Sequence, residues 1–186
     1  MPVLEAMEQI MSNQTMDTMQ RFKITTLALC FVGLAWAQAA AVELGSPAPA
    51  YSLPTNAGRV DSASLKGKLV YVDFWASWCV PCKQSFPWMN EMQAKYGDRG
   101  LHVLAINVDG KQADADKFLG VVPAKFQVAF DPAGVTPKQF AVKAMPTSYL
   151  VDSDGRVVYM HAGFRASDQK LIEAAIVAAL DTMKKK

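Results

Sequence analysis

Cysteine and histidine are both scarce in this chain, and its charges nearly cancel. It has three cysteines and two histidines among 186 residues. Only Cys79 and Cys82 form a closely spaced pair, whereas a zinc site usually takes four such ligands, often in two paired motifs. Lysine and arginine number 19 against 17 aspartate and glutamate residues, so nothing in the composition indicates a nucleic-acid partner. Repeats and low-complexity tracts are absent as well. What remains is the composition of one globular domain, because 51% apolar residues are enough to form a core.

The N-terminal region has the pattern of an export signal. Arg21 and Lys23 precede an apolar run from Ile24 to about Ala37, and the small residues at 37–41 contain two A-x-A cleavage patterns. An uncleaved membrane anchor is the alternative. However, a spanning helix needs about 20 apolar residues, and this run contains two threonines. We therefore predict export to the periplasm with cleavage of the signal.

The first 18 residues do not fit that signal, because they carry three acidic residues and no Lys or Arg. A start at Met19 would give an ordinary basic beginning, and we take it as the alternative start. The sequence thus predicts an N-terminal extension and signal peptide over residues 1–41 and a single domain over residues 42–186.

Strand-like and helix-like segments alternate along the predicted domain. Apolar runs predict strands over 69–76, 101–108, 126–131, 147–152 and 156–161. Helical patterns cover 79–96, 113–119, 136–142 and 169–183. The turn at Ser153–Gly155 should form a tight hairpin, and Ser167–Asp168 should cap the final helix. The apolar face predicted for that helix comprises Leu171, Ile172, Ala175, Ile176 and Ala179. This order predicts an α/β domain with a mixed sheet and helices on both faces.

Cys79 and Cys82 stand two residues apart where a predicted strand turns into a helix. A cysteine reacts as its thiolate, and the free N–H groups at a helix start stabilise an anion. Pro81 suits the first turn, where its missing N–H costs nothing. Because Cys82 lies inside that turn and should be less exposed, we predict that Cys79 attacks a partner's disulfide and Cys82 resolves the mixed disulfide. A disulfide between these cysteines would close a loop too short to restrict the unfolded chain much, so a purely structural role is disfavoured.

The stretch VDFWASWCVPCK at residues 72–83 resembles the active-site motif of thioredoxins, and the match continues along the chain. Pro87 falls at the position of a helix-kinking proline. AMPTSYLVD at residues 144–152 resembles the strand that carries a cis-proline, and Gly163 resembles the glycine after the last strand.

Three further features indicate a subgroup of thioredoxin-like proteins: the export signal, the opening GSPAPAYSLP and an extra segment from about Lys111 to Val142. Over about residues 45–182 the chain is similar to the exported TlpA/ResA/DsbE-like thiol–disulfide oxidoreductases. The resemblance implies a thioredoxin-like fold with an insert before the cis-proline. It also implies that Cys79 and Cys82 form a redox disulfide and that the Met145–Pro146 bond is cis. The substrate-binding residues that it implies are Trp78, Val80, Pro81, Met145, Pro146 and Thr147.

Asp73 lies on the predicted strand before the motif, flanked by Val72 and Phe74. It matches the buried acid of thioredoxins, and we expect desolvation to raise the pKa of its carboxyl, which could then relay the proton of Cys82. A solvent-facing Asp on the other face of the strand is the alternative. Many ResA-like proteins carry a Glu three residues after the second cysteine. This chain has Ser85 there, so the acid–base role is assigned to Asp73.

The resemblance implies an exported enzyme that reduces disulfides of other periplasmic proteins, for example in cytochrome c maturation. It implies re-reduction by a membrane electron donor of the DsbD/CcdA type, without a cofactor or metal. A dithiol oxidase or isomerase on the same fold is the main alternative. A peroxiredoxin-like peroxidase would need a Thr three residues before its cysteine, where Ala76 stands. A metal-binding module would need more ligands than His102 and His161 add to the pair.

Overall fold

The structure is a computed structural model that describes residues 42–185. The predicted extension and signal peptide lie outside the described residues, and the proposed domain boundary stays a prediction. Within residues 42–185, no helix is long and apolar enough to cross a membrane.

The described part of the chain contains seven strands: β1 (Ser52–Thr55), β2 (Gly58–Asp61), β3 (Leu69–Trp75), β4 (Leu101–Asn107), β5 (Gln127–Phe130), β6 (Thr147–Val151) and β7 (Val157–Ala162). They form one sheet in the order β2-β1-β5-β4-β3-β6-β7. Strands β3, β4 and β5 are parallel to one another, whereas β6 pairs with β3 in the antiparallel direction. The sheet is therefore mixed, as predicted.

The α-helices of the described residues are α1 (Val80–Tyr96), α2 (Gln112–Val121), α3 (Val135–Gln139) and α4 (Gln169–Met183). One face of the sheet, with Tyr71 and Trp75 of β3, packs against α1, α2 and α4. On the other face, Phe140 follows α3 and packs against Phe74 with ring centroids 5.2 Å apart and the rings tilted. All seven residues of β3 are buried, because three helices cover one face while side chains such as Phe140 and Leu65 pack on the other. The predicted α/β layering is thus confirmed.

Most predicted elements agree with the structure to within two residues at each end, but the hairpin of β1 and β2 was not predicted. These strands have four residues each, and only Leu53 and Val60 are buried in them. Such short edge strands give almost no alternation to detect. Helix α3 also ends at Gln139 rather than at the predicted residue 142.

Two details of α4 correct the prediction. Asp168, expected to cap α4 with Ser167, makes no side-chain cap to that helix. Its carboxylate instead accepts a hydrogen bond of 2.9 Å from the N–H of Arg165, so it stabilises the 3-10 turn that precedes α4. Leu171 is 59% exposed, because the buried stripe runs through Ile172 and every fourth residue after it.

Candidate functional site

The two cysteines form a disulfide at the start of α1. Cys79 is the N-cap residue, and its Sγ accepts a hydrogen bond of 3.2 Å from the N–H of Cys82. Cys79 lines an open groove and is 4% exposed, whereas Cys82 is completely buried. Pro81 lies in the first turn of the helix, as predicted. The two sulfurs therefore differ in access, which is the asymmetry that an attacking and a resolving cysteine need.

The Met145–Pro146 peptide bond is cis, as predicted. Thr147 pairs with Phe74 in the register of β6 and β3, so Pro146 lies level with Trp75, the last residue of β3, where the chain turns towards the disulfide. The carbonyl of Pro146 accepts a hydrogen bond of 2.7 Å from Gly163, whose φ of 85° favours glycine. Met145 packs against the cluster that contains both cysteines. These positions agree with a substrate-binding role, which stays a prediction.

Asp73 is buried beneath the site, 1% exposed. Alternation along β3 places it on the α1 face, with Tyr71 and Trp75, which share a cluster with Cys82. Among the described residues, the Oδ2 atom of Asp73 has no hydrogen-bond partner. Desolvation therefore raises the pKa of this carboxyl well above its usual value. The alternative of a solvent-facing Asp is wrong, whereas the role in proton relay stays a prediction.

Ser85 occupies the position where many ResA-like proteins carry a Glu, and it offers no acid to the site. Its side chain is 1% exposed, and its hydroxyl donates a hydrogen bond of 3.0 Å to the carbonyl of Cys82 one turn earlier. The hydroxyl is thus satisfied by the helix backbone, which leaves Asp73 as the buried acid on this face of β3.

Asp109 is a buried carboxylate that sequence analysis did not single out, and it holds the loop before Cys79. Its Oδ2 accepts hydrogen bonds from the N–H of Ser77 at 2.9 Å and from the Nδ2 of Asn107 at 2.8 Å. Its Oδ1 accepts another from the Ser77 hydroxyl at 3.0 Å. Asp109 itself is 6% exposed. Because β4 runs parallel to β3, the ends of both strands meet here, and Asp109 fixes the path of residues 76–78.

We expect Asp109→Ala to slow the reaction of reduced Cys79 with a small disulfide by about tenfold, because a displaced nucleophile loses its alignment. It should also lower the free energy of unfolding by about 1–3 kcal/mol, since the buried amide of Asn107 and two donors of half-buried Ser77 lose their acceptor. Stopped-flow rates with dithionitrobenzoate and urea unfolding check the two effects. Asp109→Asn, which keeps one acceptor oxygen, is the matched control and should lose less of both. Unchanged rates in Asp109→Ala would contradict this positioning role.

The predicted residues around the disulfide lie partly at the surface. Trp78 is 69% exposed and Val80 is 71% exposed, and both line the groove beside Cys79. The groove also contains residues of α2, which were not among the predicted substrate-binding residues. These residues lie near the disulfide because α2 connects β4 to β5, so no local sequence pattern indicates their position.

The two histidines lie in strands, as predicted. His102 of β4 contacts the Oε1 of Gln127 at 2.8 Å, and His161 of β7 contacts Asp168 at 3.4 Å. In the part of the chain that the structure describes, no group of three or more His, Cys, Asp or Glu side chains is placed to hold a metal.

The Redoxin family model matches residues 43–176 of this chain. The chain belongs to the Redoxin family. One relative, the thiol–disulfide oxidoreductase ResA of Bacillus thuringiensis subsp. konkukian, is 33% identical over 129 residues, which are 69% of this chain and 75% of that protein. ResA of Bacillus subtilis (strain 168) is 32% identical over 120 residues, 64% of this chain and 67% of that protein.

Solved structures agree with the family assignment. A Chlorobium tepidum protein, named as a candidate thiol:disulfide interchange protein DsbE, shares 53% sequence identity with a TM-score of 0.74. The match covers 75% of this chain and 99% of that one. This Redoxin-family chain is thus a thiol–disulfide oxidoreductase of the TlpA/ResA/DsbE-like kind with a thioredoxin-like fold, as its motif predicted.

Proposed function

We propose that this Redoxin-family chain is a disulfide reductase for exported proteins. The observation that carries the proposal is the asymmetric disulfide: Cys79 faces an open groove and Cys82 is buried behind it. Only the sulfur of Cys79 is then accessible to a protein partner. The sulfur of Cys82, inside the helix, can react with Cys79 within the molecule.

The reaction begins with both cysteines reduced. The thiolate of Cys79, stabilised by the N–H of Cys82 and the helix start, attacks one sulfur of the substrate disulfide. That bond breaks, the second substrate sulfur leaves as a thiolate, and a mixed disulfide with Cys79 forms. The sulfur of Cys82 then attacks Cys79, which releases the first substrate sulfur and leaves the Cys79–Cys82 disulfide. Two electrons pass from the enzyme to the substrate.

Asp73 supplies the base for the second step. The buried thiol of Cys82 must lose its proton before it attacks, because only the thiolate is nucleophilic. A carboxyl with a raised pKa is a better proton acceptor near neutral pH than an ordinary Asp. The same proton can be returned when the enzyme is reduced again.

The substrates and the electron donor follow from the family resemblance. We infer export to the periplasm from the N-terminal signal pattern, and protein disulfides there as substrates, with the cysteines of apocytochrome c as one class. A compartment that oxidises thiols requires a donor to restore the dithiol. A membrane electron donor of the DsbD/CcdA type is the proposed source.

The equilibrium potential of the Cys79–Cys82 couple tests this direction of electron flow. We would measure it in defined thiol buffers on the full chain with Cys30→Ser, so that trapped thiols report this couple alone. We expect a value near that of thioredoxin, about −270 mV. A value near about −120 mV would contradict the reductase and assign the chain to the dithiol oxidants. The absence of a reversible couple would contradict both.

A further inference from the structure

Helix α2 forms the wall of the active-site groove on the side away from Pro146. In the sheet, β6 lies on one side of β3 and β4 on the other, and α2 connects β4 to β5. The groove has a volume of about 400 Å³. Its apolar lining comes from Trp78, Cys79 and Val80 at the start of α1 and from Phe118, Val121 and Val122 at the end of α2.

Exposed apolar side chains gather in this groove. Of the eight large apolar side chains that are exposed in residues 42–185, three line it: Trp78 (69%), Val80 (71%) and Val121 (72%). Apolar surface that is gathered in one place and bordered by polar residues is typical of an interaction site. The reacting sulfur of Cys79 lies in the same groove, so a partner bound to the disulfide also reaches the end of α2.

The wall is firmly attached to the core. The ring of Phe118 lies 4.8 Å from Trp75 and 5.1 Å from Phe86, measured between ring centroids. Ala115 is completely buried, and the N–H of Val122 donates a hydrogen bond of 2.8 Å to the carbonyl of Phe118. The end of α2 is therefore a fixed surface rather than a mobile loop, and a fixed surface loses little entropy when a partner binds.

The rim of the groove is positively charged. Lys83 and Lys117 both line it, against the single carboxylate of Asp114. Lys117 lies 3.7 Å from that carboxylate, so Lys83 remains as the excess charge among the lining residues. A basic side chain of a binding partner is thus disfavoured next to the apolar lining of the groove.

We propose that the end of α2, centred on Val121, is a docking surface for a large apolar side chain next to the cysteine that Cys79 attacks. The occupant is an extended segment of an oxidised protein substrate, because the oxidoreductase activity brings such a segment to Cys79 and the groove continues from that sulfur to Val121. This inference rests on the proposed function and adds a preference for the sequence around the substrate cysteine. Val121 is a specificity-determining residue in this scheme.

The test uses the reduced full chain with Cys30→Ser, in which all variants are compared, and three peptides that are identical except for Leu, Ser or Lys beside the single cysteine. Each peptide is supplied as a mixed disulfide with thionitrobenzoate. Cys79 attacks the peptide sulfur, the peptide–thionitrobenzoate bond breaks, and the coloured thionitrobenzoate leaves. We expect the Leu peptide to react about tenfold faster than the Ser peptide, and the Lys peptide to react no faster than the Ser peptide.

Val121→Ser should reduce the preference for Leu to about threefold or less, because the apolar contact area is lost. Leu171→Ser is the matched control: Leu171 is an exposed apolar residue on α4 that does not line the groove, and the preference should be unchanged. Leu171→Ser should also react with dithionitrobenzoate itself at the wild-type rate. A full preference in Val121→Ser, or none in the wild type, overturns the docking surface. Failure of wild-type Cys79 to react with dithionitrobenzoate overturns the proposed function itself.

Discussion

Cys79→Ser is expected to abolish disulfide reduction, lowering the rate by at least about a thousandfold. A serine hydroxyl is not ionised near neutral pH and is a weak nucleophile without an adjacent base. Cys82 cannot take over the attack, because it is completely buried while Cys79 lines the groove. The measurement is the rate of reduction of a protein disulfide by each variant, supplied with excess dithiothreitol as electron donor.

Cys82→Ser is expected to stop the same reaction one step later. Attack by Cys79 still occurs, but no second sulfur is available to release the substrate, so a mixed disulfide accumulates. Non-reducing gels and intact mass should show one substrate molecule per enzyme in Cys82→Ser and none in Cys79→Ser. Both variants are compared in the Cys30→Ser background, so that a third thiol does not contribute. Trapping by Cys79→Ser instead of Cys82→Ser would reverse the roles assigned to the two sulfurs.

The parts of the site that were predicted from sequence are local along the chain. Cys79, Cys82 and Pro81 lie within four residues, and the structure of a helix start follows directly from such a segment. Asp73 was found because the apolar run around it indicates burial on both faces of a strand, and the structure buries that strand completely. Helix and strand boundaries were also close for segments with long apolar patterns.

The parts that were not predicted depend on contacts between distant segments. Asp109 and Ser77 are separated by 32 positions in the sequence, and they meet only because β3 and β4 are parallel and end at the same edge. Val121 borders the groove because α2 crosses from β4 to β5, which fixes the side of the disulfide on which it lies. Neither residue carries a local pattern, since a lone Asp after a strand and a Val at a helix end are common.

The Asp73→Asn variant is expected to react about a hundredfold more slowly in the step that releases the substrate. An amide cannot accept the proton of Cys82, whereas attack by Cys79 on the substrate does not involve Asp73. Single-turnover kinetics separate the two steps, because the mixed disulfide forms at the normal rate and then persists. Loss of the attack step instead would contradict a role in proton transfer from Cys82.

The same variant should remove a pH dependence from stability. Burial raises the pKa of Asp73 in the folded protein well above 3.8, so between the two pKa values the folded state binds one proton that the unfolded chain has lost. The free energy of unfolding therefore falls as pH rises in this window, by up to about 1.4 kcal/mol per pH unit. The stabilising contribution is complete below about pH 4 and is lost as the pH rises through the folded-state pKa of Asp73.

Urea unfolding of the oxidised protein at a series of pH values measures this effect, because the bonded cysteines do not titrate in that state. The difference in the free energy of unfolding between Asp73→Asn and the wild type should grow with pH from about pH 4 and then level off. Asp98→Asn, an exposed aspartate on the 3-10 turn after α1, is the matched control and should follow the wild type. A constant difference between Asp73→Asn and the wild type at every pH would mean that the carboxyl ionises as easily in the folded protein as in the unfolded chain. Asp73 would then have no raised pKa with which to accept the proton of Cys82 near neutral pH.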